Sequence, residues 1–199
     1  MFQFVETIRA ENGKIQNLEY HQWRLNKTFA HFYPDNRPFD LSQLIFLPSK
    51  YRKGLVKIRF LYNNKNFSVE FSFYQPKQIN CLQLVEYNDI DYSYKSLNRE
   101  IFEKLKLKAT QCNEILIVKH GFITDTSFSN IIFFDGKNWH TPATPLLEGT
   151  FRKKLLDEGR ILTDKIRPSD LNNFTHFKLI NAMLGWNFPP MLIEKLSGN

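Results

Sequence analysis

The chain has 199 residues, 42% of them apolar and 24% charged, with only 8 Gly and 9 Pro. That balance supports a buried core and excludes a disordered, collagen-like or low-complexity chain. The 27 Lys and Arg outnumber the 20 Asp and Glu to leave +7 at neutral pH, a field that draws anionic ligands, but the cations are scattered and no nucleic-acid-binding signature accompanies them.

Residues 2–9 (Phe-Gln-Phe-Val-Glu-Thr-Ile-Arg) read as a strand. Asn12-Gly13 then supplies a tight hairpin turn, and Ile15 opens a short return strand. From Leu18 to Phe32 apolar residues recur at near-helical spacing at Leu18, Leu25, Phe29 and Phe32, with Trp23 beside the stripe, and Pro34 ends that helix. Pro38 and Pro48 bracket a second, shorter helix around Leu41, Leu44 and Ile45. Residues 55–62 and 67–73 are rich in β-formers and are joined by Asn63-Asn64-Lys65-Asn66, which predicts a hairpin. Within it, Val56, Ile58 and Phe60 alternate with Lys57 and Arg59, placing the two cations on the opposite face. Residues 79–86 form a further strand. Residues 96–111 form an amphipathic helix with Leu97, Ile101, Phe102, Leu105 and Ala109 on one face. Short strands follow at 115–118, 122–124 and 130–134, split by His120-Gly121 and Asp135-Gly136. Residues 147–156 read as helix stopped by Gly159. The pattern predicts an α+β first half, an antiparallel sheet with helices packed on it, and a second half after Tyr92-Ser93-Tyr94 whose short strands in hairpin-like series form a closed or strongly curved sheet.

The start lacks the basic and apolar regions of a secretory signal. No apolar run reaches the roughly 20 residues of a membrane span, so no membrane partner is expected. Cys81 and Cys112 are too few for a disulfide framework and lack metal-ligand spacing. A reducing cytoplasm fits that usage, and no metal is expected.

Four places carry chemistry on their residues alone. Lys95 lies between a Tyr-rich strand end and a helix start; partial desolvation by Tyr92, Tyr94 and Leu97 would make its amine a nucleophile for carbonyl compounds, while the plain alternative is a solvated lysine. Asp125, between an apolar strand and the polar run Thr126, Ser127, Ser129 and Asn130, would hold a protonated ring nitrogen or form an Asx-turn. Gly149 and Thr150 open a helix whose N–H groups would bind an anion or simply be capped. Arg24 lies at the polar edge of the first helix.

The order of these segments is similar to that in class IV (fold type IV) pyridoxal-phosphate enzymes, which comprise branched-chain and D-amino-acid aminotransferases and 4-amino-4-deoxychorismate lyases. The Phe4–Arg9 strand, Asn12-Gly13 and His21-Gln22-Trp23-Arg24-Leu25 resemble the family's opening. Lys95-Ser96-Leu97-Asn98-Arg99 resembles its catalytic Lys-x-x-Asn segment, in the form found in the lyases. Asn113-Glu114, Gly121–Asp125 with Ser129-Asn130, Thr141-Pro142 and Gly149-Thr150-Phe151-Arg152 resemble the segments that follow, and Asn181-Ala182 loosely resembles the last. Asp125 stands where most members have Glu, and the chain begins at a strand that a hairpin and a Gly-rich loop usually precede.

The resemblance implies the α+β fold of type IV, with a small α/β sandwich domain over 1–90 and a large domain with a β-barrel-like curved sheet over 91–199. It also implies pyridoxal 5′-phosphate (PLP) as cofactor, with Lys95 as the lysine that forms the internal aldimine and shuttles the substrate α-proton. Arg24, Gly149 and Thr150 would hold the phosphate, Asp125 the pyridine nitrogen, and Ser129 and Asn130 would flank it. Lys57 and Arg59 are candidate contacts for a carboxylated amino substrate. The lyase-like motif implies elimination of pyruvate to leave 4-aminobenzoate, a folate precursor, from a homodimer. The alternatives are transamination of D-amino or branched-chain amino acids, and a non-catalytic relative that binds PLP or another anion.

Overall fold

In the computed structural model, residues 2–197 are described, and their contacts divide them into two compact units. One takes the chain up to Pro76 together with Tyr94–Asn98; the other holds Lys77–Ser93 and everything from Arg99 onward.

The first unit is a four-stranded antiparallel sheet carrying two helices. Its elements are β1 (Phe4–Glu11), β2 (Lys14–Ile15), α1 (Leu18–Phe32), α2 (Leu41–Leu44), β3 (Leu55–Tyr62) and β4 (Phe67–Phe73), with strand order β2-β1-β3-β4. Asn12 and Gly13 both take positive φ, 48° and 83°, as a two-residue hairpin turn between right-twisted strands requires. Alternation along β1 sends Phe4, Glu6, Ile8 and Ala10 to one face, where they lie level with Tyr62, Phe60, Ile58 and Val56 of β3. The buried stripe of α1 is His21, Arg24, Leu25, Thr28 and Phe29, the i, i+3, i+4, i+7, i+8 spacing of a packed helix. Leu25 and Phe29 join Ile8, Val56, Ile58 and Phe60 in one core. Phe32 continues this stripe into the last turn of α1, with its ring centroid 4.9 Å from Phe4 and 4.8 Å from Tyr94, but there it stays 45% exposed.

The second unit contains β5 (Leu82–Glu86), α3 (Glu100–Lys106), β6 (Glu114–Lys119), β7 (Phe122–Thr126), β8 (Asn130–Phe134), β9 (Trp139–Pro142), α4 (Thr150–Asp157), β10 (Leu162–Asp164), β11 (His176–Ile180), β12 (Met191–Leu192) and β13 (Leu196–Ser197). These strands make two sheets, ordered β13-β5-β6-β7 and β10-β9-β8-β11-β12. Leu82, Leu116, Val118 and Ile123 from one sheet pack with Ile131, Phe133, Phe177 and Leu179 from the other. Neither sheet closes on itself, so the barrel-like expectation becomes two open sheets around a shared core.

Three expected elements are shorter or differently placed. The predicted single cut near residue 90 becomes three crossings, after Pro76, Ser93 and Asn98, because β5 pairs in parallel with β6 while residues 94–98 return to β1. There Val5 N bonds Lys95 O at 3.1 Å and Leu97 N bonds Gln3 O at 2.9 Å. This pairing occupies the residues expected to open the helix, so α3 spans only Glu100–Lys106. Likewise α4 begins at Thr150, because the Leu147 carbonyl that a helix starting at Leu147 would use accepts from Asn130 Nδ2 instead.

Cys81 and Cys112 form a disulfide. Their 31-residue separation gave no pairing signal, yet the starts of the adjacent strands β5 and β6 bring the two Cα atoms to 5.1 Å. That bridge departs from the thiol usage of a reducing compartment.

Candidate active site

The candidate residues fall in two groups, one in each unit. In the first unit they centre on a buried carboxylate. Glu6 points from β1 into the layer between sheet and helix, where α1 places His21 and Arg24 on the same face one turn apart. Arg24 Nε and Nη2 donate to Glu6 Oε1 and Oε2 at 2.9 and 2.6 Å, and His21 Nδ1 lies 2.6 Å from Oε2. Glu6 and His21 are fully buried and Arg24 is 6% exposed. Burial alone would raise the Glu6 pKa, but the Arg24 charge and the hydrogen bonds from His21 and Arg24 outweigh it and hold the group at about 2. Burial lowers the His21 pKa, Glu6 acts in the other direction, and the charges of Arg24 and Lys95 lower it further. The ring is therefore neutral at neutral pH and donates Nδ1–H to the ionised carboxylate.

Lys95 is half-buried in this unit, in the segment whose backbone pairs with β1. Next to it, Tyr94 stacks on His31 of α1 with ring centroids 4.8 Å apart. Lys57 and Arg59 lie on the opposite face of the sheet from Glu6. Arg59 Nη1 pairs with Glu70 of β4 at 2.7 Å, and Lys57 Nζ sits 5.9 Å from the Tyr74 ring centroid.

In the second unit the centre is Asp125, 4% exposed near the end of β7. Its Oδ1 accepts from Asn130 Nδ2 at 2.8 Å and its Oδ2 from Leu147 N at 2.9 Å. Burial raises its pKa to about 6, against the opposing effects of the Leu147 and Asn130 hydrogen bonds and the Arg152 charge. Asn130 Nδ2 also donates to Leu147 O at 2.9 Å, so one amide ties β7 and β8 to the approach of α4. Gly149 is the N-cap of α4 and supplies no side-chain acceptor to its first-turn N–H groups. Arg152, buried in the first turn of α4, donates to Thr141 Oγ1 at 3.2 Å and Pro142 O at 2.8 Å. Ser129 is tied into the turn between β7 and β8, its hydroxyl 2.8 Å from Thr126 Oγ1. A cavity of about 250 Å³ lined by Tyr92, Lys119, His120, Phe122, Thr124 and Leu146, among others, adjoins Asp125 and Leu147 in sequence through Thr124 and Leu146.

The structure thus groups Arg24 and Lys95 in one unit and Asp125, Ser129, Asn130, Gly149 and Thr150 in the other. Glu6 and His21 were not singled out by sequence. Their signal was present: Glu6 interrupts the apolar alternation Phe4, Ile8, Ala10, and a carboxylate on an inward face requires a buried partner. Among the described residues no cluster of His, Cys, Asp or Glu could hold a metal ion, and no helix is long and apolar enough to cross a membrane.

The fold of the two units is that of the type IV class of enzymes. The class IV aminotransferase family model matches residues 3–187, and the chain belongs to that family of PLP-dependent aminotransferases and lyases. It is 41% identical over 187 residues to an uncharacterised protein of Haemophilus influenzae, a match that spans 93% of this chain and 100% of the relative. Among solved structures it is similar to a chain from Haemophilus somnus provisionally named a 4-amino-4-deoxychorismate lyase, with TM-score 0.86 and 37% identity over 93% of this chain and 98% of that one. A provisionally named amino-acid aminotransferase of Mesorhizobium loti shares the fold, with TM-score 0.81 and 20% identity over 100% of both chains.

Proposed function

We propose that this enzyme is aminodeoxychorismate-lyase-like: it releases the enolpyruvyl group of an amino-cyclohexadiene carboxylate as pyruvate and leaves 4-aminobenzoate. The observation that carries the cofactor part of the reading is Asp125, a buried carboxylate whose pKa is raised to about 6. Such a group is short of countercharge, and a protonated pyridine nitrogen would supply it. The other donors fit the same molecule. A phosphate suits a guanidinium and a helix start, here Arg24 with Gly149 and Thr150, and an aldehyde suits the amine of Lys95. Bound PLP supplies an electron-withdrawing ring that stabilises negative charge at a substrate carbon.

Within this reading each residue has one task. Asp125 keeps a proton at the ring nitrogen, and Asn130 and the Leu147 N–H keep Asp125 in place. Lys95 would hold the cofactor at its aldehyde carbon, and its amine, freed when the substrate amine takes that carbon, would move the proton at the substrate α-carbon. Ser129 shapes the turn that follows Asp125. Lys57 and Arg59 receive the substrate carboxylates, with Arg59 exchanging Glu70 for the ligand. The Lys95-Ser96-Leu97-Asn98-Arg99 form and the similarity to the Haemophilus somnus chain support lyase over transfer chemistry. The same reading carries a homodimer acting in folate-precursor synthesis in the cytoplasm. Sedimentation tests the oligomer, and thiol alkylation in intact cells tests whether Cys81 and Cys112 are bridged there.

The experiment is borohydride trapping of PLP on wild-type protein and on Lys95→Ala, followed by product analysis with 4-amino-4-deoxychorismate. The reading expects a stable cofactor adduct on Lys95 that the variant lacks, then pyruvate and 4-aminobenzoate in equal amounts. Amino transfer to a keto acid without pyruvate release would favour the aminotransferase alternative. A protein that takes up no PLP would end both.

A further inference from the structure

The roles proposed above leave Glu6 unused, although it is the most completely enclosed charge in the first unit. It has 0% exposure and three hydrogen-bond contacts, to Arg24 Nε at 2.9 Å, Arg24 Nη2 at 2.6 Å and His21 Nδ1 at 2.6 Å. A buried ion pair contributes little net stability, because desolvating both partners offsets most of their attraction. Its geometry is the more informative property. A carboxylate bound along the Nε–Nη2 edge of a guanidinium fixes the plane of that group, and with it the direction of the other N–H bonds. His21 holds the same carboxylate from one helical turn away, so that Glu6 cannot follow Arg24 if the arginine turns.

We propose that Glu6 is a positioning residue for cofactor binding: it sets the orientation in which Arg24 meets the cofactor phosphate, with His21 holding Glu6 in place. This rests on the reading of Arg24 as a phosphate ligand. It makes a prediction opposite in sign to simple electrostatics. Removing a carboxylate beside an anion site relieves like-charge repulsion and should tighten anion binding. Removing a positioning residue loosens it. Glu6→Gln separates the two, since its amide nitrogen would face the donors of His21 or Arg24 in place of an acceptor oxygen.

The test compares dissociation constants of the full-length apoprotein for PLP and for pyridoxal, which lacks the phosphate, in wild type, Glu6→Gln and Arg24→Ala. The expected result is a loss of roughly tenfold or more in PLP affinity for Glu6→Gln, the size typical when a group behind a ligand is removed, with pyridoxal affinity little changed. Unchanged or tighter PLP binding in Glu6→Gln, with Arg24→Ala weakened, overturns the positioning role and leaves the phosphate reading standing. Equal weakening toward both ligands reduces Glu6 to a structural role and overturns the proposal as well. If Arg24→Ala keeps the wild-type ratio of PLP to pyridoxal affinity, the phosphate reading itself fails. Should Glu6→Gln not fold, Glu6→Asp keeps the charge and shortens its reach by one methylene. A wild-type affinity ratio in that variant overturns the proposal equally.

Discussion

Replacing Gly149 with alanine puts a methyl group where Asn130 already stands. A Cβ on Gly149 would lie 1.9 Å from Asn130 Oδ1 and 3.0 Å from its Cγ, well inside van der Waals contact. The backbone there, φ −67° and ψ 137°, is open to any L-residue, so the penalty is steric and not torsional. Asn130 must swing aside, and its Nδ2 then loses both Asp125 Oδ1 and Leu147 O. Overpacking costs about 1–3 kcal/mol and a buried acceptor left unmet about 1–3 kcal/mol, so Gly149→Ala should destabilise the second unit by about 2–6 kcal/mol. In an Asn130→Ala background the obstructing amide is gone and its bonds are already lost. There the same change should cost under about 1 kcal/mol, a coupling of at least about 1 kcal/mol. Urea unfolding followed by tryptophan fluorescence in a Trp23→Phe background reads this directly, because the two remaining tryptophans, Trp139 and Trp186, lie in the unit that holds Gly149. An equal cost in both backgrounds would refute the reasoning, as would a wild-type cost below about 1 kcal/mol.

Glu6 and Asp125 should give the two units opposite responses to pH. Glu6 is held at about 2 against an ordinary 4.5; the unfolded chain takes up the proton first, and about 3 kcal/mol of stability is lost as pH falls from about 5 to 2. Asp125 is raised to about 6 from 3.8; the folded state takes up the proton first, and a contribution of about 3 kcal/mol present below pH 4 is lost as pH rises through 6. Unfolding free energy measured across pH should therefore flatten on the acid side in Glu6→Gln and between pH 4 and 6 in Asp125→Asn; a wild-type slope in either variant contradicts the assignment. Arg59→Ala breaks only a surface pair with Glu70, whose side chains are 36% and 52% exposed, so stability should change by less than about 1 kcal/mol. A rise in KM with kcat and stability preserved would mark Arg59 as a substrate contact, and an unchanged KM would remove it from that role.

Elements defined by local chemistry could be read from the chain alone. The Asn12-Gly13 turn, α1 ending just before Pro34, and the β3–β4 hairpin around Asn63–Asn66 each depend on turn residues and periodicity within a few positions. The interior strand β11 could not be read that way. Its sequence, His176-Phe177-Lys178-Leu179-Ile180, places a lysine at a position only 7% exposed. Lys178 is accommodated because its Nζ donates to Trp186 O at 3.1 Å and lies 5.3 and 4.6 Å from the Trp139 and Trp186 ring centroids. The aliphatic stem meets the apolar surroundings while distant residues satisfy the charge. The same distinction governs the candidate site. Sequence order was enough to bring Arg24, Lys95, Asp125 and Gly149-Thr150 together as one family's pattern, because each stands in a short local motif. Tertiary structure alone paired Cys81 with Cys112, delayed α3 by returning residues 94–98 to β1, and set Glu6 against Arg24 and His21. Each of these depends on a partner far along the chain, and the energy of a buried charge or an unmet N–H is decided by what the fold brings beside it.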